Sequence, residues 1–297
     1  MIRVKKSENN QPIIGSRGYL LNRAFKMAKL KLENCYIEIE MAETVDEKVD
    51  VLIRTFNSGS TLERCLRSVT DQIPYSRIII ADHNSTDNTQ EIAKRFNADI
   101  LTEEIGLGYA TKLLISNAKT KYILFVDGDI EIVRQRFVEE SLKKLESGNI
   151  GAVVGCALGH RFLYGIPLGL TLMSLDLAKK VLPPDRIQGR ETYYFEETLR
   201  TNSLKIAYIK DAMVHRSTYR NFKYWPEWQG AQIRLTPSRH AGQLFNAISV
   251  VFMMHLNSKR SKNFIYSPLY YIKILRGYFN PDKFGKLDRR KVDLNRH

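Results

Sequence analysis

Apolar positions along this chain fall into two kinds of pattern. Short unbroken runs such as "VLI" at 51–53, "III" at 78–80 and "ILFV" at 123–126 alternate with longer stretches in which apolar residues recur every three or four positions. The first kind predicts buried strands and the second predicts helices. Residues 49–57 read as a strand entering a loop, and 60–72 as a helix with Ser60 as its cap. Residues 76–97 read as a strand, a polar loop and a helix, 98–104 as a short strand, 108–120 as a helix, and "KYILFVDGDIEI" (121–132) as the next strand. Farther on, 188–217 reads as a helix followed by a strand, "LKIAYI", that ends near His215. Strands alternating with helices, with polar residues gathered after the strands, predict an α/β fold built on a doubly wound, mostly parallel sheet. The ligands of such a sheet lie at the carboxyl ends of its strands.

The ends of the chain follow a different pattern. "RGYLLNRAFKMAKLKL" (17–32) predicts a basic amphipathic helix, and the region from 241 onward predicts a helical extension mixing aromatic and basic residues. This divides the chain into a basic lead-in (1–48), an α/β domain (49–220) and a basic, aromatic-rich C-terminal extension (221–297). The net charge of +14 in 297 residues belongs mostly to the two ends. Residues 1–32 carry eight Lys and Arg against one Glu, and residues 241–297 carry eleven against three Asp. Such flanks fit a polyanion, either an anionic membrane face or nucleic acid.

Composition narrows the class further. With 43% hydrophobic and 26% charged residues the chain is neither disordered nor collagen-like. Three scattered cysteines, Cys35, Cys65 and Cys156, support neither a disulfide framework nor a paired-cysteine metal site, which fits a reducing, cytoplasmic setting. No signal peptide is expected at the N-terminus, and the longest apolar stretch, "LFNAISVVFMMHL" (244–256), is too short to span a bilayer.

Three blocks carry the chemistry: "VDVLIRTFNSGSTLERCLRSVTDQ", "RIIIADHNSTDNTQEIA" and "AKTKYILFVDGDIEI". In this order they resemble the GT-A fold, family 2-type glycosyltransferases, over roughly residues 49–220. The resemblance implies a hexosyltransferase-like enzyme that moves a sugar from a nucleotide-sugar to a hydroxyl acceptor. A departing diphosphate needs its charge neutralised, and a divalent cation held by carboxylates does this. Oxygen ligands suit Mn²⁺ or Mg²⁺. The resemblance places Asp129 on the metal and Asp127 on the ribose or the metal's shell, with Gly128 between them beside the donor. It places Thr55, Phe56 and Asn57 along the nucleotide pocket and Asp82 against the base or ribose. Asp87 and Thr89 are expected to cap the following helix. Two positions depart from the pattern: His83 replaces an acid in the nucleoside loop, and Arg54 stands where proline is more frequent.

A transferase that inverts its sugar needs a base for the acceptor's proton. The family keeps an acidic pair at the start of a helix; here Glu191 matches the first acid while Thr192 occupies the second position. Glu191 is the expected base, with Glu196 and Glu197 in reserve. Lys112 reads either as a phosphate contact or as a solvated helix lysine. His215 reads either as a third metal ligand or as a hydrogen-bonded histidine closing a strand. The aromatic stretch "YRNFKYWPEWQG" (219–230) reads as a sugar platform or as a packed cap, and the apolar content of 164–181 as core or as an acceptor groove. The basic ends, with no membrane span between them, imply a peripheral protein on the inner membrane face acting on a glycan or lipid-linked acceptor. Nucleic-acid binding is the weaker alternative, since acids lined up at strand ends repel phosphate. A nucleotidyltransferase would want a glycine-rich phosphate loop that "RTFNSGSTLER" does not resemble.

Overall fold

The computed structural model describes residues 2–6, 28–32, 35–39, 47–160, 165–216, 224–236, 240–257 and 267–285. The chain divides into two compact units, Met1–Asp46 and Glu47–His297. In the first, strands β1 (Ile2–Lys6), β2 (Ala28–Leu32) and β3 (Cys35–Ile39) form an antiparallel sheet in the order β1-β3-β2. The helix expected over 17–32 is therefore corrected at its C-terminal end: "AKLKL" is a strand pairing Ala28–Leu32 with Ile39–Cys35. Those five residues alternate apolar and basic, the period of a strand, and only two residues separate Leu32 from Cys35, a hairpin spacing. Residues 17–27 of that expectation lie outside the described residues.

The second unit is built on an eight-stranded sheet. Along the chain it contains β4 (Val49–Thr55), α1 (Leu62–Gln72), β5 (Tyr75–Asp82), α2 (Thr89–Arg95), β6 (Asp99–Thr102) and α3 (Leu107–Asn117). Then come β7 (Tyr122–Asp127), β8 (Ile130–Ile132), α4 (Phe137–Leu145), β9 (Ile150–Ala157), β10 (Leu170–Ser174), α5 (Leu175–Ala178), α6 (Glu191–Thr201) and β11 (Lys205–His215). The strand order is β6-β5-β4-β7-β10-β9-β11-β8. The half formed by β6, β5, β4 and β7 is parallel, as its unbroken apolar runs require. Val51, Leu52, Ile53, Ile79, Ile80, Leu124 and Phe125 are all at most 1% exposed, so these strands are covered on both faces. The other half is mixed, because β10 pairs antiparallel with both β7 and β9. "LTLMS" is buried there as expected for the apolar stretch around 164–181.

Two differences from the sequence reading bear on the site. The stretch 121–132 is two strands, not one: after β7, Gly128 and Asp129 carry the chain out of the parallel half to β8, which pairs with the end of β11. In addition, α1 is preceded by Thr61, not capped by Ser60, and no side chain caps it.

Helices α7 (Trp225–Leu235), α8 (His240–Asn257), α9 (Ser267–Tyr278) and α10 (Pro281–Phe284) follow. Helices α7 and α9 touch backbone to backbone: a Cβ on Gly230 would lie 1.8 Å from the Ile274 carbonyl oxygen, and one on Gly277 1.7 Å from that of Glu227. Only glycine allows this approach. Trp228, 2% exposed, lies with its ring over Gly189, where an added Cβ would be 2.2 Å from the indole. Within the described part of the aromatic stretch, Trp228 is thus packed as a cap on the turn that leads into α6; residues 219–223 lie outside the described residues.

Candidate active site

The site is assembled at the carboxyl ends of β4, β5 and β7. Strand β4 lies between the other two, with Arg54 in register with Asp127 on β7 and Thr55 in register with Asp82 on β5. Successive residues on a strand point to opposite faces, so its last two side chains reach different neighbours. The Thr55 hydroxyl donates to Asp82 Oδ1 at 2.8 Å. Arg54 Nη2 donates to Asp127 Oδ1 at 3.4 Å, and its Nη1 donates to Glu191 Oε1 at 2.8 Å.

Glu191 opens α6, where the helix N-terminus favours a negative charge. The residue before it, Arg190, takes φ +61°, an uncommon conformation for a non-glycine, and its Nε is buried with no hydrogen-bond partner. Burial pulls the Arg54 pKa down, but the charges of Glu191 and Asp127 and its hydrogen bonds to them more than offset this, leaving the guanidinium above its ordinary value. Partial burial, with 42% of the side chain still exposed, pushes the Asp127 carboxyl up; Arg54 opposes that, while the like charges of Asp129 and Glu191 add to it.

Asp129 reaches the site through the turn into β8. Pairing of β8 with β11 sets His215 opposite Ile130, and the Arg216 amide donates to the Asp129 carbonyl at 2.7 Å. His215 Nδ1 then lies 3.9 Å from Asp129 Oδ1, a charge pairing that raises the imidazole pKa against the effect of burial. His160 stands close enough to His215 for the second imidazole to lower its pKa, after the larger effect of burial. Among the described residues, no three His, Cys, Asp or Glu side chains form a ready-made metal cage. A Cβ at Gly128 would meet Leu62 and Thr55 at 3.6 Å, ordinary contacts, so nothing in the chain itself demands glycine there.

The nucleoside loop is held differently. Asp82 is completely buried. Besides Thr55, its carboxylate accepts from the Ser85 hydroxyl (2.6 Å), the Ser85 amide (2.9 Å) and Gln90 Nε2 (2.8 Å). In the structure the oxygens of Asp82, the residue expected against a base or ribose, clasp the loop. Asn57, at φ +49°, accepts from the Thr86 amide at 2.9 Å, and its own amide donates to the Ser85 hydroxyl at 2.8 Å. Asp87 accepts from the amides of Gly59 and Thr89, ordering the start of α2. His83 pairs through Nδ1 with Glu103 at 2.7 Å, and its ring meets the edge of Phe56 with centroids 5.5 Å apart. Lys112 is ion-paired with Asp185.

The structure therefore brings Asp127, Asp129, Glu191 and His215 together, and it groups Phe56, Asn57 and His83 beside the buried Asp82–Thr55 clasp. Of the two reserve acids, Glu196 accepts from the Ile166 amide at 3.3 Å, and burial raises its pKa; Glu197 is ion-paired with Arg200 at 2.6 Å. Sequence reasoning missed Arg54 as the hub, although its unusual position was visible. It also missed Gly169, whose carbonyl accepts the Asp127 amide at 2.9 Å and where a Cβ would come within 3.2 Å of the Asp127 carboxylate.

Comparison with known proteins agrees with this architecture. Residues 50–164 match the family model described as Glycosyl transferase family 2. That segment is similar to family 2 glycosyltransferases. The chain is 30% identical over 118 residues to glycosyltransferase GlyA of Streptococcus pneumoniae serotype 4, which covers 37% of this chain and 17% of that protein. It is also 30% identical over 117 residues to glycosyltransferase AglE of Haloferax volcanii, covering 36% of this chain and 38% of that one. The matches thus span well under half the length of these curated relatives. A structure of glucosyl-3-phosphoglycerate synthase from Mycobacterium tuberculosis in complex with uridine diphosphate superposes with a TM-score of 0.50 at 19% identity, covering 60% of this chain and 74% of that one. The fold is GT-A, a mixed sheet with flanking helices and a helical C-terminal region.

Proposed function

We propose that the α/β domain binds a nucleotide-sugar and transfers its glycosyl group to a hydroxyl acceptor, with Glu191 taking the acceptor's proton. The observation that carries this is the convergence of Glu191, Asp127, Asp129 and His215 from separate elements at the carboxyl end of the sheet. Family 2 sequence over 50–164 supports the same reading. Glu191 suits a base by position: Arg54 holds it in place, and it opens α6 beside Asp127 at the edge of the sheet. Phe56, Asn57 and His83 form the wall for the nucleoside, while Asp82 and Thr55 hold that wall in shape. Lys112, bound to Asp185, serves the fold and not the donor.

The donor set also fits a divalent ion. Asp129 and His215 offer oxygen and nitrogen to Mn²⁺ or Mg²⁺, and Asp127, half-occupied by Arg54, borders them. A cation held there would neutralise charge on the diphosphate leaving group.

The acceptor is a glycan delivered by a lipid or membrane surface. Helices α8 and α9 leave Phe245, Ile248, Leu269 and Ile272 exposed, as is Phe279 just after α9, with Lys273 and Arg276 on α9, and no helix among the described residues is long and apolar enough to cross a bilayer. An apolar face edged with cations fits the inner face of an anionic membrane. Sedimentation with anionic liposomes that weakens with salt is expected; binding to nucleic acid but not to liposomes would remove this part.

The central test is a thermal-shift panel of UDP-, GDP- and dTDP-sugars with and without Mn²⁺, since a ligand of the folded state raises the midpoint. Asp129→Ala is expected to keep its own midpoint and lose the Mn²⁺-dependent gain. Retention of that gain would overturn the assignment of Asp129.

A further inference from the structure

The geometry points to Arg54 as the positioning residue that locks Glu191 to the strand carrying Asp127, so that the proton-accepting group and the acidic strand end are held as one unit. The inference rests on the proposed role of Glu191 and adds the device that makes it work. Arg54 uses different nitrogens for the two tasks: Nη1 lies 2.8 Å from Glu191 Oε1, and Nη2 lies 3.4 Å from Asp127 Oδ1. The two carboxylates come from positions 137 and 73 residues away in sequence, at the start of α6 and the end of β7. No local rule brings them together; the guanidinium does.

Burial gives this arrangement its force. The Arg54 and Glu191 side chains are only 14% and 9% exposed, so Glu191 would be a poorly solvated charge without Arg54. Asp127, at 42%, keeps a face open toward the cleft. Arg54 itself is fixed by the register of β4 with β7, in the most buried part of the sheet. Glu191 is thus referenced to the core, although its helix follows a surface loop from Pro184 to Arg190. That loop is itself pinned: Leu107 and Tyr109 amides donate to the Ile187 and Asp185 carbonyls, and Gly189 lies under Trp228.

A lysine could replace the charge but not the fork, because an ammonium cannot present two fixed donors to two separated carboxylates. The role is therefore geometric as well as electrostatic. In a transferase the consequence falls on turnover and not on donor affinity, because a misplaced base slows proton removal without removing donor contacts.

The test uses the full chain and variants Arg54→Met, Arg54→Lys, Glu191→Gln and the double variant Arg54→Met with Glu191→Gln. Water serves as acceptor, and the nucleotide-sugar of the UDP, GDP and dTDP panel that the wild type hydrolyses fastest serves as donor. Arg54→Met is expected to lower kcat by about a hundredfold with the donor KM changed by less than about threefold, and Arg54→Lys to recover about tenfold of that loss. The double variant is expected to be within about twofold of Glu191→Gln alone, since both changes disable one unit. Multiplying losses in the double variant, or a raised KM at unchanged kcat, overturns the proposal. If Glu191→Gln is inactive while Arg54→Met turns over normally, Arg54 is wrongly assigned and the base stands. If Glu191→Gln turns over at the wild-type rate, the base assignment itself falls. Urea unfolding of the same four proteins needs no substrate: non-additive midpoints are expected, and strict additivity would by itself overturn the pairing of Arg54 with Glu191.

Discussion

Asp82 and Asp127 end β5 and β7, on either side of β4 in the parallel half of the sheet, and each is bonded by a β4 side chain, yet their environments are opposite. Asp82 is fully buried and accepts four hydrogen bonds, from Thr55, from Ser85 twice and from Gln90. Asp127 keeps 42% of its side chain exposed and meets Arg54 through one oxygen, with Asp129 and Glu191 nearby. A carboxylate saturated by protein donors is part of the scaffold; one that shares a single cation with other carboxylates is left able to meet a ligand. The chemical type of a motif residue does not decide which it is. The donors that surround it do.

Breaking the clasp is expected to give the largest effect on folding. Asp82→Ala leaves the buried Thr55 hydroxyl and the half-buried donors of Ser85 and Gln90 without an acceptor, which costs about 3–5 kcal/mol in total. At roughly 2–4 °C per kcal/mol for a domain of this size, the melting midpoint should fall by about 6–20 °C. Asp127→Asn, by contrast, should shift the midpoint by no more than a few degrees, since Arg54 retains Glu191. Equal losses in the two variants, measured by calorimetry, would abolish the distinction.

A narrower probe removes one donor from the clasp. Thr55→Val keeps the shape and strips the hydroxyl that bonds Asp82, with an expected cost of about 1–2 kcal/mol. No change in urea midpoint would mean that Asp82 is satisfied without it.

The smallest effect concerns Glu196, a third kind of carboxylate: half-buried and bonded by the Ile166 amide. Burial raises its pKa above the usual glutamate value, so the folded state holds its proton more tightly than the unfolded chain does. Its contribution to stability is then full below the ordinary glutamate pKa near 4.5 and is lost as the pH rises through the raised folded value. Glu196→Gln, which does not ionise, should match the wild type near pH 4 and melt higher at pH 7.5. A pH-independent difference between the two proteins would contradict this.

Much of the fold could be read directly. The unbroken apolar runs at 51–53, 78–80 and 123–126 became the buried strands β4, β5 and β7, and the acids that end β5 and β7 fell at the carboxyl edge of the sheet, as parallel strands demand. Periodicity served less well where neighbours decide. Residues 28–32 satisfy an apolar–basic alternation as well as a helical face, and pairing with Cys35–Ile39 settled the matter in favour of a strand. The break after Asp127 was likewise unreadable, because "DGDIEI" continues an apolar alternation that would suit one long strand; pairing with β11 turned it into a second.

The sequence alone determined which residues could be chemical here and on which strands they stand, because burial of an apolar run and the alternation of side chains along a strand are local matters. Tertiary structure decided their partners. Whether Asp82 faces a ligand or a clasp, and whether Arg54 is an odd neighbour or the joint between Glu191 and Asp127, depends on contacts across 27, 73 and 137 residues of chain. A charge or hydrogen-bond donor acts over a few ångströms in space and carries no mark in its own stretch of sequence of what will lie beside it.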